Sequence, residues 1–186
     1  GWPFRINAQF DVDTPRAGVQ RGESGWNGWL VKRVVEAIVA IARHRLETEP
    51  AGGWVAVPLS AEVEQVGDEW LRENLEAAVP EIQRRVFRGL KFEIDGDVVG
   101  VEGLAYEARE LENLLRPADI ESVAWGRRPL PRSMRDASGR FRDVLDEIGQ
   151  SVEVGVARAL NLLELGDEDL GGKGVGWFIK LAAIAI

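Results

Sequence analysis

Hydrophobic positions follow two periods along this chain. Phe4, Ile6, Ala8 and Phe10 alternate with polar residues, and a period of two is typical of a half-buried strand. From residue 26 to 46 the apolar side chains recur three or four positions apart, at Trp26, Leu30, Val34, Ile38 and Ile41. That spacing predicts an amphipathic helix that begins after a polar, glycine-containing loop.

The remaining elements follow from the same periods. Residues 53–59, GWVAVPL, predict a second strand because Val and Trp favour strands. Residues 91–101 predict a hairpin, since Asp95-Gly96 is a favoured two-residue turn between β-forming residues. Helices are predicted over 68–88, 105–115, 138–149 and from Gly174, with a short strand near Val123 and a strand followed by a helix over 152–165.

These elements predict the fold class α/β (α+β). We expect a mixed sheet packed with helices, continuing into a smaller, truncated α/β part. The predicted units are residues 1–89 and 90–186, with the hairpin opening the second. The chain starts with Gly1 and stops within an apolar run, so we expect a fragment of a larger protein. Four tryptophans fall on positions predicted to be core: Trp26, Trp29, Trp54 and Trp70.

Composition narrows the possible chemistry. The 186 residues contain no cysteine and a single histidine, His44, which excludes disulfides, thiolate chemistry and histidine triads. We therefore expect no metal site. The net charge of −8 makes nucleic acid and anionic membranes poor partners. The last apolar run is too short to span a bilayer, and no signal peptide appears in the sequence, so a cytoplasmic location is expected.

The most specific stretch is the loop DVDTPRAGVQRGESGW, residues 11–26. Pro15 fixes the backbone just before Arg16, and Gln20 and Arg21 follow. An arginine presents a planar fork of donors that suits phosphate oxygens. Two interpretations stay open from the residues alone. The arginines contact a phosphate, or they are surface residues that pair with Asp11, Asp13 and Glu23.

The first sixty residues resemble one family. The segments PFRINAQFDVDTPRAGVQ and WNGWLVKRVVEAIVAIARHRLE are similar to the part of sacsin-type proteins that follows their chaperone-like ATPase domain. More distantly, they resemble the start of the middle domain in ninety-kilodalton heat-shock chaperones. Arg16 and Gln20 match that family's Arg and Gln by their spacing, while Pro15 and Ala17 replace a Ser and a Glu.

The resemblance implies a function for the loop. It implies an accessory (middle) domain of a sacsin-like, chaperone-related ATPase, in which Arg16 acts as an arginine finger on the ATP γ-phosphate bound in a missing upstream domain. Gln20 would position the loop or a water molecule, and Arg21 would assist Arg16 at the phosphates. The fragment itself would hold no cofactor and no complete active site. The implied parent binds ATP with Mg, and the implied partners are its upstream ATPase domain and a protein client.

A second cluster supports the alternative function. Arg127, Arg128, Arg132 and Arg135 lie close together in WGRRPLPRSMR, where they contact a partner or an anion, or pair with nearby acids on the surface. If they bind a partner, the chain is a protein-interaction module without a catalytic role in a larger multidomain protein.

Overall fold

The structure, a computed structural model, describes residues 3–8, 10, 25–164 and 175–184. Eight α-helices lie in this part of the chain: α1 Gly25–Thr48, α2 Pro50–Gly53, α3 Ser60–Val63, α4 Glu69–Phe87, α5 Pro117–Val123, α6 Arg140–Ile148, α7 Val156–Ala159 and α8 Val175–Ile184. Short 3₁₀ turns lie at Trp54–Ala56, Val101–Gly103, Arg109–Leu111, Arg132–Met134 and Leu160–Glu164.

The strands form two small sheets. They are β1 Lys91–Ile94, β2 Asp97–Gly100, β3 Leu104–Glu107, β4 Arg128–Pro129 and β5 Val152–Val154. Strands β1 and β2 pair antiparallel, whereas β3 lies between β4 and β5 and is parallel to both. Helices with a small antiparallel sheet and a small parallel sheet make a mixed α/β fold, so the predicted fold class is confirmed.

The chain divides into two compact units. Unit 1 contains Gly1–Leu90 and Met134–Ile148, and unit 2 contains Lys91–Ser133 and Gly149–Ile186. One point of division lies between Leu90 and Lys91, the first residue of β1. The segment that carries α6 belongs to unit 1, however, although it follows much of unit 2 in the sequence.

Unit 1 is built on two long helices, α1 and α4, that pack on each other. Helix α4 begins where the side chain of Asp68 accepts a hydrogen bond from Leu71 N at 2.8 Å, which satisfies a free N–H of the first turn. The helix runs through Pro80, which is exposed. Both helices bury one stripe: Asn27, Val31, Val35, Ile38, Ala42 and Leu46 on α1, and Leu75, Val79, Ile82, Gln83, Val86 and Phe87 on α4.

A cluster around Trp54 connects α6 to the segment after α2. We call Trp54, Glu62 and Arg140 the Trp54 cluster. Trp54 is fully buried, and its Nε1 donates to Met134 O at 2.6 Å. Arg140 donates from both terminal nitrogens to the two carboxylate oxygens of Glu62, each at 2.6 Å. It also donates to the carbonyls of Trp54 and Val57, at 3.1 and 2.6 Å, so this largely buried charge is paired and hydrogen-bonded.

In unit 2, helices pack with the parallel sheet in one core. The hairpin turn has positive φ at both Asp95 (51°) and Gly96 (86°), the requirement of the predicted two-residue turn. Residues from β3, β5, α5, α7 and α8 share one core that includes Ala105, Leu111, Ile120, Val154 and Leu181. Trp177 of helix α8 packs against this core, and its Nε1 donates to Leu114 O at 2.7 Å.

Both strands predicted for unit 1 are wrong in the described residues. Residues 4, 6, 8 and 10 do face inward more than 5 and 7 do, but the segment pairs with no strand and lies along α1 instead. Residues 53–56 form the end of α2 and a 3₁₀ turn, and residues 57–59 that follow form no strand. Gly53 permits this, because a Cβ there would lie 2.7 Å from the backbone of Leu46. Tertiary packing overrides the strand preference of Trp and Val.

Two predictions in unit 2 are also wrong. The helix predicted over 105–115 is strand β3, whose four residues are all buried, followed by a 3₁₀ turn at Arg109–Leu111. A strand with neighbours on both sides and buried on both faces shows no alternation for a pattern to detect. The strand predicted near Val123 is helix α5, which starts with Pro117 and is held by the Asp119 side chain, the acceptor for Arg116 N at 2.7 Å.

The predicted core tryptophans separate into two kinds. Trp54 is fully buried and Trp70 is partly buried, but Trp26 and Trp29 are 47% and 45% exposed. The buried stripe of α1 contains Asn27 and Val31 rather than Trp26 and Leu30. The apolar residues of α1 therefore cover more than one face, and periodicity alone did not select the face that unit 1 buries.

Candidate functional site

The loop residues predicted to contact a nucleotide lie outside the described residues. Arg16, Gln20 and Arg21 fall between Phe10 and Gly25, the nearest positions that the structure describes. Their predicted roles therefore stay predictions. What the structure does describe is the chain on both sides of them.

The segment that precedes this loop packs on helix α1, which follows the loop. The segment Phe4–Ala8 lies against α1, and together they line a cavity of about 200 Å³ with Val34, Ala37, Ile38 and Ile41. The apolar side chains Phe4, Ile6 and Ala8 are partly buried there, whereas Arg5 and Asn7 are exposed. The chain thus enters and leaves the predicted arginine loop from elements that pack on each other.

The first turns of α1 present an aromatic face. The rings of Trp26 and Trp29 stack with centroids 5.1 Å apart and planes 17° from parallel. The guanidinium of Arg33 lies 5.4 Å from the ring centre of Trp29 and donates to Glu36 at 2.6 Å. These half-exposed rings follow the predicted arginine loop directly in the sequence.

Among the predicted contact arginines, Arg128 is an ion-paired residue. Its Nη1 donates to Glu121 at 2.6 Å, and its Nη2 donates to Asp97. The hydrogen bond to Glu121, then that to Asp97 and the charges of both, raise the pKa of Arg128 above its ordinary value. Two carboxylates therefore already neutralise this guanidinium, which agrees with the surface-pairing interpretation for this one residue.

The other three cluster arginines have different partners. Arg127 donates to Gln150 O at 2.9 Å, and Arg132 donates to Glu112 O at 2.9 Å. The guanidinium of Arg135 lies 5.5 Å from the ring centre of Phe141. Arg127, Arg128 and Arg132 belong to unit 2, but Arg135 belongs to unit 1. The four residues therefore form a cluster in the sequence that the fold divides.

Sequence reasoning missed the most exposed aromatic side chain that the structure describes on unit 2. Trp125 is 77% exposed, and the guanidinium of Arg158 lies 4.2 Å from its ring centre. We call Trp125, Arg127 and Arg158 the Trp125 site. Trp125 has φ of 56° and Gly126 has φ of 75°, and this left-handed pair turns the indole outward. The only signal in the sequence was the Trp-Gly pair before Arg127.

The described part offers little for other chemistry. It contains no group of three or more His, Asp or Glu side chains placed to hold a metal ion. No helix described here combines the length and apolar character needed to cross a bilayer. The carboxylate of Glu107, predicted to lie on a helix, belongs to the last residue of β3 and is buried.

Comparison with known proteins adds no assignment. No protein-family model matches the chain, and neither a curated protein nor a solved structure is similar enough to count as a match. The resemblance to sacsin-type proteins therefore stays a hypothesis carried by the residues of the first sixty positions.

Proposed function

We propose that this chain is the accessory (middle) domain of a sacsin-like, chaperone-related ATPase of the cytoplasm. Its role is to supply Arg16 to the γ-phosphate of ATP bound with Mg in an upstream domain of the same protein. Gln20 positions the loop or the attacking water, and Arg21 adds a second contact to the phosphates. The pattern of Asn7, Arg16, Gln20 and Trp26-Asn27 carries the proposal.

For phosphoryl transfer the domain must supply a cation that is fixed where negative charge develops in the transition state. In phosphoryl transfer the negative charge spreads over the phosphoryl oxygens in the transition state, and an arginine finger stabilises it. A guanidinium does this best when its position is fixed before the reaction. The domain needs no nucleotide pocket of its own for such a role.

The packing around the loop supports this role. The segment Phe4–Ala8 lies on α1 through its apolar side chains, and α1 is held by α4 and by its buried stripe. Both ends of the chain that carries Arg16 are therefore attached to one packed element. Catalytic side chains hold their geometry better on such supports than on long free loops.

The test is ATP turnover by the complete parent protein. For Arg16→Ala we expect turnover to fall roughly ten- to thousandfold with ATP affinity nearly unchanged, since a finger acts mainly in the transition state. Each tenfold loss corresponds to about 1.4 kcal/mol. Arg16→Lys keeps the charge but not the planar fork, so we expect an intermediate loss.

A matched control is Arg33→Ala. Arg33 is an exposed arginine of the same unit that pairs with Glu36, and we expect normal turnover from this variant. If Arg16→Ala also turns over ATP at the normal rate, Arg16 is a surface residue and the proposal is wrong. If both variants lose activity, the loss does not depend on the position of Arg16, which also contradicts the proposal.

A second candidate is the protein-interaction module without a catalytic role. One observation favours it: Trp125 is 77% exposed, and the guanidinium of Arg158 lies 4.2 Å from its ring centre. If the chain has this function, Arg16→Ala leaves the parent's binding to its partner intact, whereas a substitution that removes the charge of Arg127 weakens that binding.

A further inference from the structure

Trp125 combines two unusual properties: its side chain is exposed to solvent, and its backbone is left-handed. Trp125 has φ of 56°, a region that bulky side chains rarely adopt, and only 23% of its surface is covered by the rest of the chain, since 77% is exposed. Folding therefore holds the indole outward in an unfavourable conformation without burying it. Such strain persists only where the surrounding structure imposes it, and it occurs often at binding sites.

Arg158 supports one face of this indole. Its guanidinium lies 4.2 Å from the ring centre, close enough for a cation–π interaction. Because a guanidinium occupies only one face, the opposite face of the ring is left for a partner. Tryptophan and arginine are also the side chains most enriched among residues that dominate binding energy in interfaces.

The charges around the indole are not balanced. Nη1 of Arg158 is buried and has no hydrogen-bond acceptor among the described residues. Arg127 donates to a neutral carbonyl, Gln150 O, and within the described chain no carboxylate forms an ion pair with either arginine. Arg158 is thus a cation without a carboxylate partner at an exposed aromatic ring, and Arg127 follows that ring by two positions in a protein whose net charge is −8.

We propose that the Trp125 site docks an acidic segment of a partner protein that carries an aromatic side chain. The partner's aromatic ring stacks on the open face of Trp125, and its carboxylates pair with Arg127 and Arg158. This inference concerns unit 2 alone and does not depend on Arg16 or on ATP.

A peptide fits these charges better than single-stranded nucleic acid does. Exposed aromatic rings and arginines also bind bases and phosphates, but nucleic acid brings a negative charge with every nucleotide. The side chains of Asp97 and Glu121, 60% and 42% exposed, stand beside the neighbouring Arg128 and would repel such a chain. A peptide needs only one or two carboxylates, placed at the two arginines that form no ion pair with a carboxylate among the described residues.

The first experiment asks what chemistry the site selects. A library of short random peptides is panned on the full chain and counter-selected on Trp125→Ala/Arg158→Gln. We expect the enriched peptides to carry an aromatic residue within a few positions of Asp or Glu. Enrichment of basic or purely aliphatic peptides, or no enrichment at all, overturns the proposal.

The second experiment determines where on the protein the peptide binds. The best enriched peptide is titrated into protein labelled with 5-fluorotryptophan, and ¹⁹F NMR follows the seven tryptophans, with the Trp125 signal assigned from Trp125→Phe. We expect the Trp125 signal to shift saturably while those of Trp26 and Trp29 stay in place. If the peptide shifts other tryptophans only, or if single-stranded oligo-dT shifts Trp125 and the peptide does not, the proposal is wrong.

Matched variants separate the site from general effects. Arg158→Gln should weaken the peptide about tenfold, because it removes both a cation under the ring and an ion pair. Arg158→Lys should weaken it less, since the charge remains. The control is Arg33→Gln, which removes the guanidinium that lies over Trp29 and should leave peptide affinity unchanged. Equal losses in Arg158→Gln and Arg33→Gln contradict the proposal.

Discussion

Two tryptophan–arginine pairs in this chain have the same residue types and opposite surroundings. In the Trp54 cluster the indole is fully buried, and Arg140 donates to a carboxylate and to two carbonyls. In the Trp125 site the indole is 77% exposed, and Arg158 has a buried nitrogen with no acceptor in the described residues. The first arginine is satisfied within the fold, whereas the second is not.

This difference separates a structural role from a binding role. A buried charge that has all its partners holds elements together, and removing one partner leaves an uncompensated charge. A buried donor without an acceptor instead costs folding free energy, and a ligand that supplies the acceptor removes this cost. Residue type and sequence spacing do not reveal which case applies, because the partners of Arg140 are Glu62 and two carbonyls nearly eighty positions or more away along the chain.

The largest expected effect is the difference in stability between a variant at Trp54 and one at Trp125. Trp54→Ala removes a buried ring that stacks on Phe87 and lies tilted against Phe141, and it leaves Met134 O without its donor. We expect a loss of about 3–5 kcal/mol in the free energy of unfolding, measured by urea denaturation. For Trp125→Ala we expect a change within about 0.5 kcal/mol. Similar losses in the two variants would remove the distinction between the sites.

The second effect concerns the ion pair of the Trp54 cluster. Glu62→Gln leaves Arg140 as a largely buried cation, because the two side chains are only 11% and 15% exposed. We expect the free energy of unfolding to fall by about 3 kcal/mol. The matched control is Glu81→Gln, whose partner Arg84 is exposed, and an exposed pair contributes about 0.5 kcal/mol or less. Equal effects would show that Arg140 is not held by Glu62.

The smallest effect concerns pH at the start of α6. Burial raises the pKa of Asp136, but hydrogen bonds from Ser138 and from Phe141 N and Arg140 N lower it more, so the pKa lies below its ordinary value of 3.8. The ionised carboxylate therefore stabilises the folded state above pH 3.8, and this stabilisation is lost as the pH falls through the lower folded-state pKa.

Asp136→Asn tests that contribution. At neutral pH we expect a loss of about 1 kcal/mol, the usual value for a lost helix cap, and the difference from the unchanged protein should shrink as the pH drops below 3.8. Urea denaturation at a series of pH values measures it. Arg158→Gln carries no such acid and should follow the pH profile of the unchanged protein. A constant difference at all pH values would exclude the carboxylate as the cause.

Local signals predicted the elements that are held by nearby residues. The two-residue turn at Asp95-Gly96 predicted β1 and β2, because positive φ is a property of those residues themselves. The long amphipathic stretches predicted α1 and α4, and the absence of cysteine excluded disulfides. For the candidate sites, the sequence pointed to Arg16 and to the arginines from 127 to 135, and it could not show the partners that each arginine has.

Elements held by distant contacts needed the tertiary structure. Strand β3 exists because β4 and β5 pair with both of its edges, and residues 53–56 are helical because they pack on α1 and on Met134. The sequence by itself determined the composition, the turns and the helical periods, since these depend on neighbouring residues. Only the tertiary structure decided which tryptophan is core and which arginine is left without a carboxylate, because burial and charge pairing depend on residues far apart in the chain.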